Sequence, residues 1–331
     1  MCPGVAMFTL LLILSLAVCL GAFAGPATFS GVSRTVFSNI NPQPNTAVGD
    51  NALLTYLVPT GQTYLSTTMF FYVDDIAGPS TAAEIVADVA WIKLLVNGVQ
   101  VSYATGQQWL AILNYYQKNI NAVGTGSSGL LTLMYERPWM QGLMSQRGPA
   151  YGMAGQNSFQ IQIQFSSDPT TTGMQMFHQV DPVLSAIGRH VEVRQQTHTF
   201  ASTGQDIITD LPKADASPLP SAMVALWLEL LGADDSAVKA DITNIILQSE
   251  DTAIINNVVN VLEWSTMFAT APRTPQEYYF VLDFDYRNRD DGQLWLNMNK
   301  FLVMPTFSVA PGTYNLVMEI MTGVANTTTG T

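Results

Sequence analysis

Charge is scarce in this sequence. Only 11% of its 331 residues are Asp, Glu, Lys or Arg, where an ordinary soluble domain carries roughly 25%. Two causes are compatible with the deficit: an apolar first segment that skews the average, and an outer surface largely buried against neighbouring subunits, where charge is depleted. Positive charge is the scarcer sign, with 13 Lys and Arg against 25 Asp and Glu and a formal net charge of -12. No stretch gathers Lys and Arg into a patch or arm. Phosphate neutralisation dominates affinity for nucleic acid, so direct binding to a genome is excluded. Cysteine is limited to Cys2 and Cys19. The rest of the chain can hold neither a disulfide framework nor a thiolate metal site, and its stability has to come from burial and assembly.

Histidine is nearly as rare, at His178, His190 and His198, and imidazole is the group that titrates near neutrality. His190 and His198 share an extended segment at even spacing. A strand rises ~3.3 Å per residue and sets them roughly 26 Å apart, too far to chelate one ion, so both read as surface or interface residues. No G-x-S-x-G elbow, phosphate loop with its Lys, or H-E-x-x-H helix occurs, and the chain reads as a non-enzyme. The pairs Asp74-Asp75, Asp234-Asp235 and Asp290-Asp291 fall at turns, where Asp bonds to nearby backbone. The run from Asp283 through Phe284, Asp285, Tyr286, Arg287, Asn288, Arg289, Asp290 and Asp291 to Gly292 could wrap alternating oxygens around a hard cation. Asp283 and Asp285 are its candidate calcium ligands. Against this, Arg287 stands where an oxygen ligand is needed and no closing Glu follows. A strand end entering an acidic hairpin is the competing reading.

What the chain has in quantity is short apolar or alternating runs bounded by Gly, Pro, Asn or Asp, the signature of sandwich strands. The expected strands are Ala52 to Val58, Tyr64 to Tyr72, Val89 to Val96, Leu130 to Tyr135, Phe159 to Phe165 and His190 to His198, then Met223 to Leu231, Ile242 to Leu247, Tyr278 to Phe284, Gln293 to Asn297, Phe301 to Met304 and Thr313 to Met321. Phe159-Gln160-Ile161-Gln162-Ile163-Gln164-Phe165 alternates without a break, so one face packs inward. Asn97-Gly98 tolerates the positive φ of a two-residue hairpin turn. Helical spacing of Trp109, Ile112, Leu113 and Tyr116 predicts a short helix over Gln107 to Tyr116. A second helix of about four turns is predicted from Ser249 as N-cap, Glu250 and Asp251 in the first turn, and a stripe of Ile254, Ile255, Val258, Val259 and Leu262. Trp91, Trp227 and Trp295 sit in apolar strands and read as core. Trp139 and Met140 lie in a long insertion from Glu136 to Gly155 and read as interface residues.

A single hydrophobic core stops growing below ~250–300 residues, so two domains are expected. Pro212, Pro218 and Pro220 remove amide donors and stiffen the backbone, which places the boundary there. The domains are then residues 1–24, 25–212 and 213–331. Val5 to Ala24 carries no charge and ends in Ala22-Phe23-Ala24, like a cleavage site, but lacks a positive n-region. It reads as a secretory signal, a membrane anchor, a wrongly included start, or a tail reaching an internal bilayer. The fold class is all-β: two jelly-roll β-sandwiches in tandem with short inserted helices.

Several segments taken in order carry a resemblance: Gly61-Gln62-Thr63-Tyr64; Ile85 to Asp88 leading into Trp91-Ile92-Lys93-Leu94-Leu95-Val96-Asn97-Gly98; Leu113-Asn114-Tyr115-Tyr116; and Tyr135-Glu136-Arg137-Pro138. This series resembles the amino-terminal domain of corticovirus-type viral coat proteins, and Leu211-Pro212-Lys213 before a second strand-rich domain also fits. The resemblance spans Asn45 to Gly323. It implies a double jelly-roll major capsid protein of the virion, forming trimers of pseudo-sixfold outline that tile an icosahedral shell around an internal membrane. The implied partners are further copies of the chain, neighbouring capsomers, minor capsid proteins and the lipid membrane, with no catalytic residues to carry over. Calcium stabilises the shell in some relatives, which adds weight to Asp283 and Asp285. The rival reading is a secreted β-sandwich binding or adhesion protein, which requires Val5 to Ala24 to be a true signal peptide.

Overall fold

The computed structural model describes residues 36–39, 46–73, 82–116, 128–140, 148–181, 187–209, 211, 221–230, 239–258, 262, 273–285, 294–295 and 301–323. The expectations for Val5 to Ala24 and for the pairs Asp74-Asp75, Asp234-Asp235 and Asp290-Asp291 lie outside these residues. Among the described residues no helix is long and apolar enough to cross a membrane.

The first half runs β1 (Val36–Asn39), β2 (Thr46–Ala47), β3 (Leu53–Val58), β4 (Thr63–Val73), α1 (Ala82–Ala87), β5 (Val89–Val96), β6 (Val99–Ala104), α2 (Gly106–Tyr115), β7 (Ser128–Met134), β8 (Tyr151–Gly152), β9 (Phe159–Phe165) and β10 (Thr171–Asp181). Its two sheets have the orders β1-β10-β4-β7 and β3-β9-β5-β6. The second half runs β11 (Arg189–Phe200), β12 (Gly204–Gln205), β13 (Ala222–Glu229), β14 (Ile242–Ser249), β15 (Thr252–Val258), β16 (Tyr279–Asp283), β17 (Leu294–Trp295), β18 (Phe301–Phe307) and β19 (Gly312–Gly323). Its sheets have the orders β11-β19-β13-β16 and β12-β18-β14-β15.

With the short β2, β8 and β17 set aside, each half has one sheet ordered first-eighth-third-sixth and another ordered second-seventh-fourth-fifth. That is the jelly-roll connection, made twice. The repeat extends to detail. In each half the start of the third strand is joined by a two-residue strand from the sixth-to-seventh connection, Thr63 pairing with Gly152 and Ala222 with Trp295.

The change from one sandwich to the next falls between β10 and β11. β11 pairs along its whole length with β19, from Arg189 opposite Gly323 to Phe200 opposite Gly312. We therefore propose the domain boundary at residues 182–188 and not at 212/213 as expected. The proline-rich stretch lies between β12 and β13, inside the second jelly roll. Its prolines lie outside the described residues; a break of this kind separates strands as readily as domains.

Alternation is why β9 forms. Phe159, Ile161, Ile163 and Phe165 are buried while the glutamines between them are not. At the β5–β6 turn Asn97 (φ 52°) and Gly98 (φ 78°) both take the left-handed conformation, as a hairpin of the type expected requires. The predicted helix after Ser249 is corrected to a hairpin: β14 reaches Ser249, Glu250 turns at φ 53°, and β15 runs back beside β14. Ile254 and Val258 point outward from this edge strand, so their spacing reflects no core-facing stripe.

Helix α2 starts at Thr105, whose hydroxyl accepts from the Gln108 amide while the Gln108 side chain accepts from the Thr105 amide, a reciprocal cap. Gly106 lies against α1; a Cβ there would stand 2.3 Å from the Val86 carbonyl oxygen and 2.9 Å from Val89 Cβ. Gly106→Ala is expected to destabilise the chain by about 2 kcal/mol through overpacking, read as a lower urea midpoint at unchanged slope. An unchanged midpoint would show that the helix can shift away from Val86.

Candidate functional site

The sheet β11-β19-β13-β16 is buried on both faces, which explains why every residue of β13 is buried. One face, with Leu226, Leu228, Phe280, Leu282, Leu316, Met318 and Ile320, fills its own sandwich. The other face packs against the first sandwich, where Ala225, Trp227, Tyr279, Val281 and Val317 join the core around α2. On this second face, strand alternation also places Glu229, Asp283, Asn315 and Glu319. Two cross-strand rows result: Tyr279, Glu229 and Asn315, and Asp283, Ala225 and Glu319.

These polar groups meet partners from the first sandwich. Glu229 accepts from Gln108 Nε2 at 2.7 Å, Tyr279 OH at 2.6 Å and Asn315 Nδ2 at 2.9 Å. Glu319 Oε1 accepts from Tyr116 OH at 3.1 Å and Trp227 Nε1 at 2.9 Å. Asp283 Oδ2 accepts from Arg273 Nε at 2.8 Å and from Tyr115 OH at 3.3 Å. Its Oδ1 accepts from the Asp285 amide at 2.8 Å. Arg137, which follows β7, pairs with Asp285 at 2.5 Å. The Arg273 guanidinium lies 4.8 Å from the Tyr116 ring centroid, and Trp139 stacks on that same ring at 4.2 Å and 8°. At the β6–β11 junction the Val193 amide donates to Ser102 Oγ at 2.9 Å.

Burial dominates the electrostatics of the seam. Burial pushes the Glu319 carboxyl up to about 7, outweighing Arg137 and its two hydrogen bonds. Burial likewise pushes Asp285 up to about 6, although Arg137 pulls the other way. The Tyr116 hydroxyl is raised by burial and by the nearby carboxylates, and stays a donor. Such a network ties two sandwiches together at fixed register, because each buried charge depends on a partner carried by another element.

The expected sites fall here in altered roles. Asp283 and Asp285 are brought together, but with guanidinium groups against both carboxylates. Among the described residues no group of three His, Cys, Asp or Glu side chains forms a metal-ligand set. Met140 is 2% exposed and Trp139 is half-buried on Tyr116, so both are covered by their own chain. His190, expected at the surface or at an interface, is fully buried within the chain with its Nε2 3.4 Å from Glu192; His198 is partly buried, 2.9 Å from Asp206. Trp227 is core as expected, whereas Trp91 is half-buried under Lys93, on the outer face of β5 beside Tyr103. Sequence reasoning missed Arg137, Arg273, Glu229 and Glu319. A signal existed for the last two, since each is a lone carboxylate inside an apolar strand.

The comparisons with known proteins agree with this architecture. Residues 38–188 match the family described as viral coat protein P2 N-terminal domain. The match takes in the first jelly roll and less than half of the chain. No curated protein sequence matches this chain. Among solved structures it is similar to the major capsid protein P2 from bacteriophage PM2, at 15% identity and TM-score 0.71, covering 88% of this chain and 98% of that one. It is also similar to a chain of Sulfolobus turreted icosahedral virus (12% identity, TM-score 0.62, 88% and 91% covered) and to one of the PBCV-1 virus capsid (7%, 0.58, 87% and 94%). At these identities the likeness establishes the fold: a double jelly roll in which both halves of the chain take part.

Proposed function

We propose that this chain is the major capsid protein of an icosahedral virus, and that three copies close into a capsomer of near-hexagonal outline. The observation that carries this reading is the doubled jelly roll joined by a buried seam. One chain then presents two similar blocks side by side, and three chains present six. Neighbouring capsomers, minor capsid proteins and an internal membrane are the further partners in this reading. The net charge of -12 argues against contact with nucleic acid. Arg137 and Arg273 act as the counter-charges of Asp285 and Asp283 in place of calcium, and Trp139 and Met140 serve the seam within one chain.

Two edge strands supply apolar surface for sister copies. Leu53 and Leu57 on β3 are 53% and 72% exposed, and Ile254 and Val258 on β15 are 47% and 54% exposed. Exposed apolar edges of this kind mark association surfaces. Sedimentation of the full chain is expected to give about 108 kDa, three copies of the 36.0 kDa protein. Leu57→Asp combined with Ile254→Asp is expected to move the population toward monomer while changing stability by only about 0.5 kcal/mol or less per site. A wild-type chain that stays monomeric at high concentration would favour a secreted binding module instead.

A further inference from the structure

At one place in the seam, donors outnumber acceptors. A cavity of about 30 Å³ lies where α2, the segment after β7, β11 and β19 meet, with Trp109, Arg137, Trp139, Tyr151 and Glu319 in its wall. Four donor nitrogens of these residues have no hydrogen-bond acceptor among the described residues: Nε1 of Trp109, Nε1 of Trp139, and Nε and Nη1 of Arg137. Arg137 is 2% exposed, and only its Nη2 is engaged, by Asp285.

Each buried donor without a partner costs about 1–3 kcal/mol, and more when it is charged, so native interiors leave few of them. Four in the wall of one cavity call for an acceptor. The volume admits one or two water-sized species and is too small for phosphate, sulfate or a carboxylate ligand. One water accepts two hydrogen bonds through its two lone pairs, so four donors would take two ordered waters in place of one anion. A monoatomic anion accepts from every side.

We propose that this cavity is a halide site, in which chloride is held by the free edge of the Arg137 guanidinium and by the indole N–H groups of Trp109 and Trp139. The carboxyl of Glu319 shares the wall, and its charge decides occupancy. It is faced by Tyr116 at the end of α2, by Arg137, by Trp227 of β13 and by Asp283 of β16. Burial holds Glu319 protonated up to about 7. Chloride and the ionised carboxylate exclude one another, so each halide enters with one proton on Glu319. The site thereby couples the grip between the two sandwiches to chloride and pH.

Crystals of the full chain soaked in bromide at pH 5.5 test the assignment. An anomalous peak within hydrogen-bond distance of Arg137 Nε or Nη1 is expected; water density there without anomalous signal, under bromide concentrations that saturate other sites, overturns it. In solution at pH 5.5, chloride is expected to raise the melting temperature relative to gluconate, which is too large to enter. Trp139→Phe keeps an aromatic ring on Tyr116 but removes one donor, and is expected to weaken the chloride dependence at least threefold. Glu319→Gln keeps the shape and cannot ionise. Wild-type affinity is expected to fall about tenfold per pH unit above about 7, as one proton per anion requires, while Glu319→Gln stays level to pH 9. Identical chloride responses in wild type and Trp139→Phe, or a pH-independent wild type, would refute the coupling.

Discussion

Replacing Arg137 by methionine is expected to cost the folded chain about 3–5 kcal/mol, the loss typical of a buried ion pair stripped of one partner. Asp285 is fully buried, and its Oδ2 has the Arg137 guanidinium as its cationic partner. Removing that cation leaves the carboxyl either charged and unpaired or protonated at a cost, and no solvent can reach it. The double variant Arg137→Met with Asp285→Leu is expected to recover most of the loss, because two apolar side chains of similar size remove both desolvation penalties at once. Urea midpoints for the four proteins of this cycle give the coupling directly. A single-variant loss below about 1 kcal/mol would mean that the pair is not buried in solution. Repeating the wild-type titration with calcium addresses the alternative role of the acidic run. A cation bound only by the folded chain raises stability by mass action, so guanidinium groups already seated on Asp283 and Asp285 lead to an unmoved midpoint. A calcium-dependent rise abolished by Asp285→Asn would restore these residues as ligands.

The strands that bury one face were legible because alternation is a local property: the reading of Phe159 to Phe165 required no knowledge of what it pairs with. β13 was legible for the opposite reason, as an unbroken apolar run buried on both sides. The partner of β11 was not legible. β19 lies more than a hundred residues further on, and nothing within Arg189–Phe200 specifies it, so a nearby cluster of prolines took the boundary. The segment after Ser249 was misread because two adjacent isoleucines followed by two valines satisfy a helical stripe, while the left-handed turn at Glu250 leaves no mark of its own in composition. The seam was the least legible part. Arg137 and Arg273 belong to connections, Asp283 closes a strand with Asp285 just beyond it, and only folding brings the four together. Glu229 and Glu319 could have been noticed, since in a chain so poor in charge a carboxylate between leucines or methionines must be solvated by protein.

The pH dependence of stability is expected to be the sum of two opposing buried titrations, separable by one substitution each. His178 on β10 is fully buried; Tyr135 donates to Thr67 Oγ1, and Thr67 lies 2.7 Å from His178 Nδ1. Thr67 is thus the ring's hydrogen-bond partner at Nδ1, and burial favours the neutral imidazole in the folded state. Burial lowers this imidazole to about 3, against about 6.5 in an unfolded chain. Its contribution is therefore complete above pH 6.5 and is lost as pH falls toward 3, by about 5 kcal/mol in total at 1.36 kcal/mol per unit. Glu319 and Asp285 run the other way. Their folded values of about 7 and about 6 exceed the ordinary carboxylate range, so the folded state binds these protons more tightly. That stability is present below about pH 4 and is lost as pH rises through 6 and 7, about 3 kcal/mol for each group. The wild type should show its maximum near pH 4, since above that two carboxyl losses run against one imidazole gain. His178→Gln removes the acid-side loss, so its stability relative to wild type should climb steadily from pH 6.5 to pH 3. Glu319→Gln removes part of the alkaline-side loss, so its relative stability should climb from about pH 4.5 to about pH 7 and then level off. All other titrating groups are common to each pair and cancel in the difference. Urea titrations at half-unit intervals are sufficient, and a His178→Gln profile parallel to wild type below pH 6.5 would rule out a neutral buried imidazole.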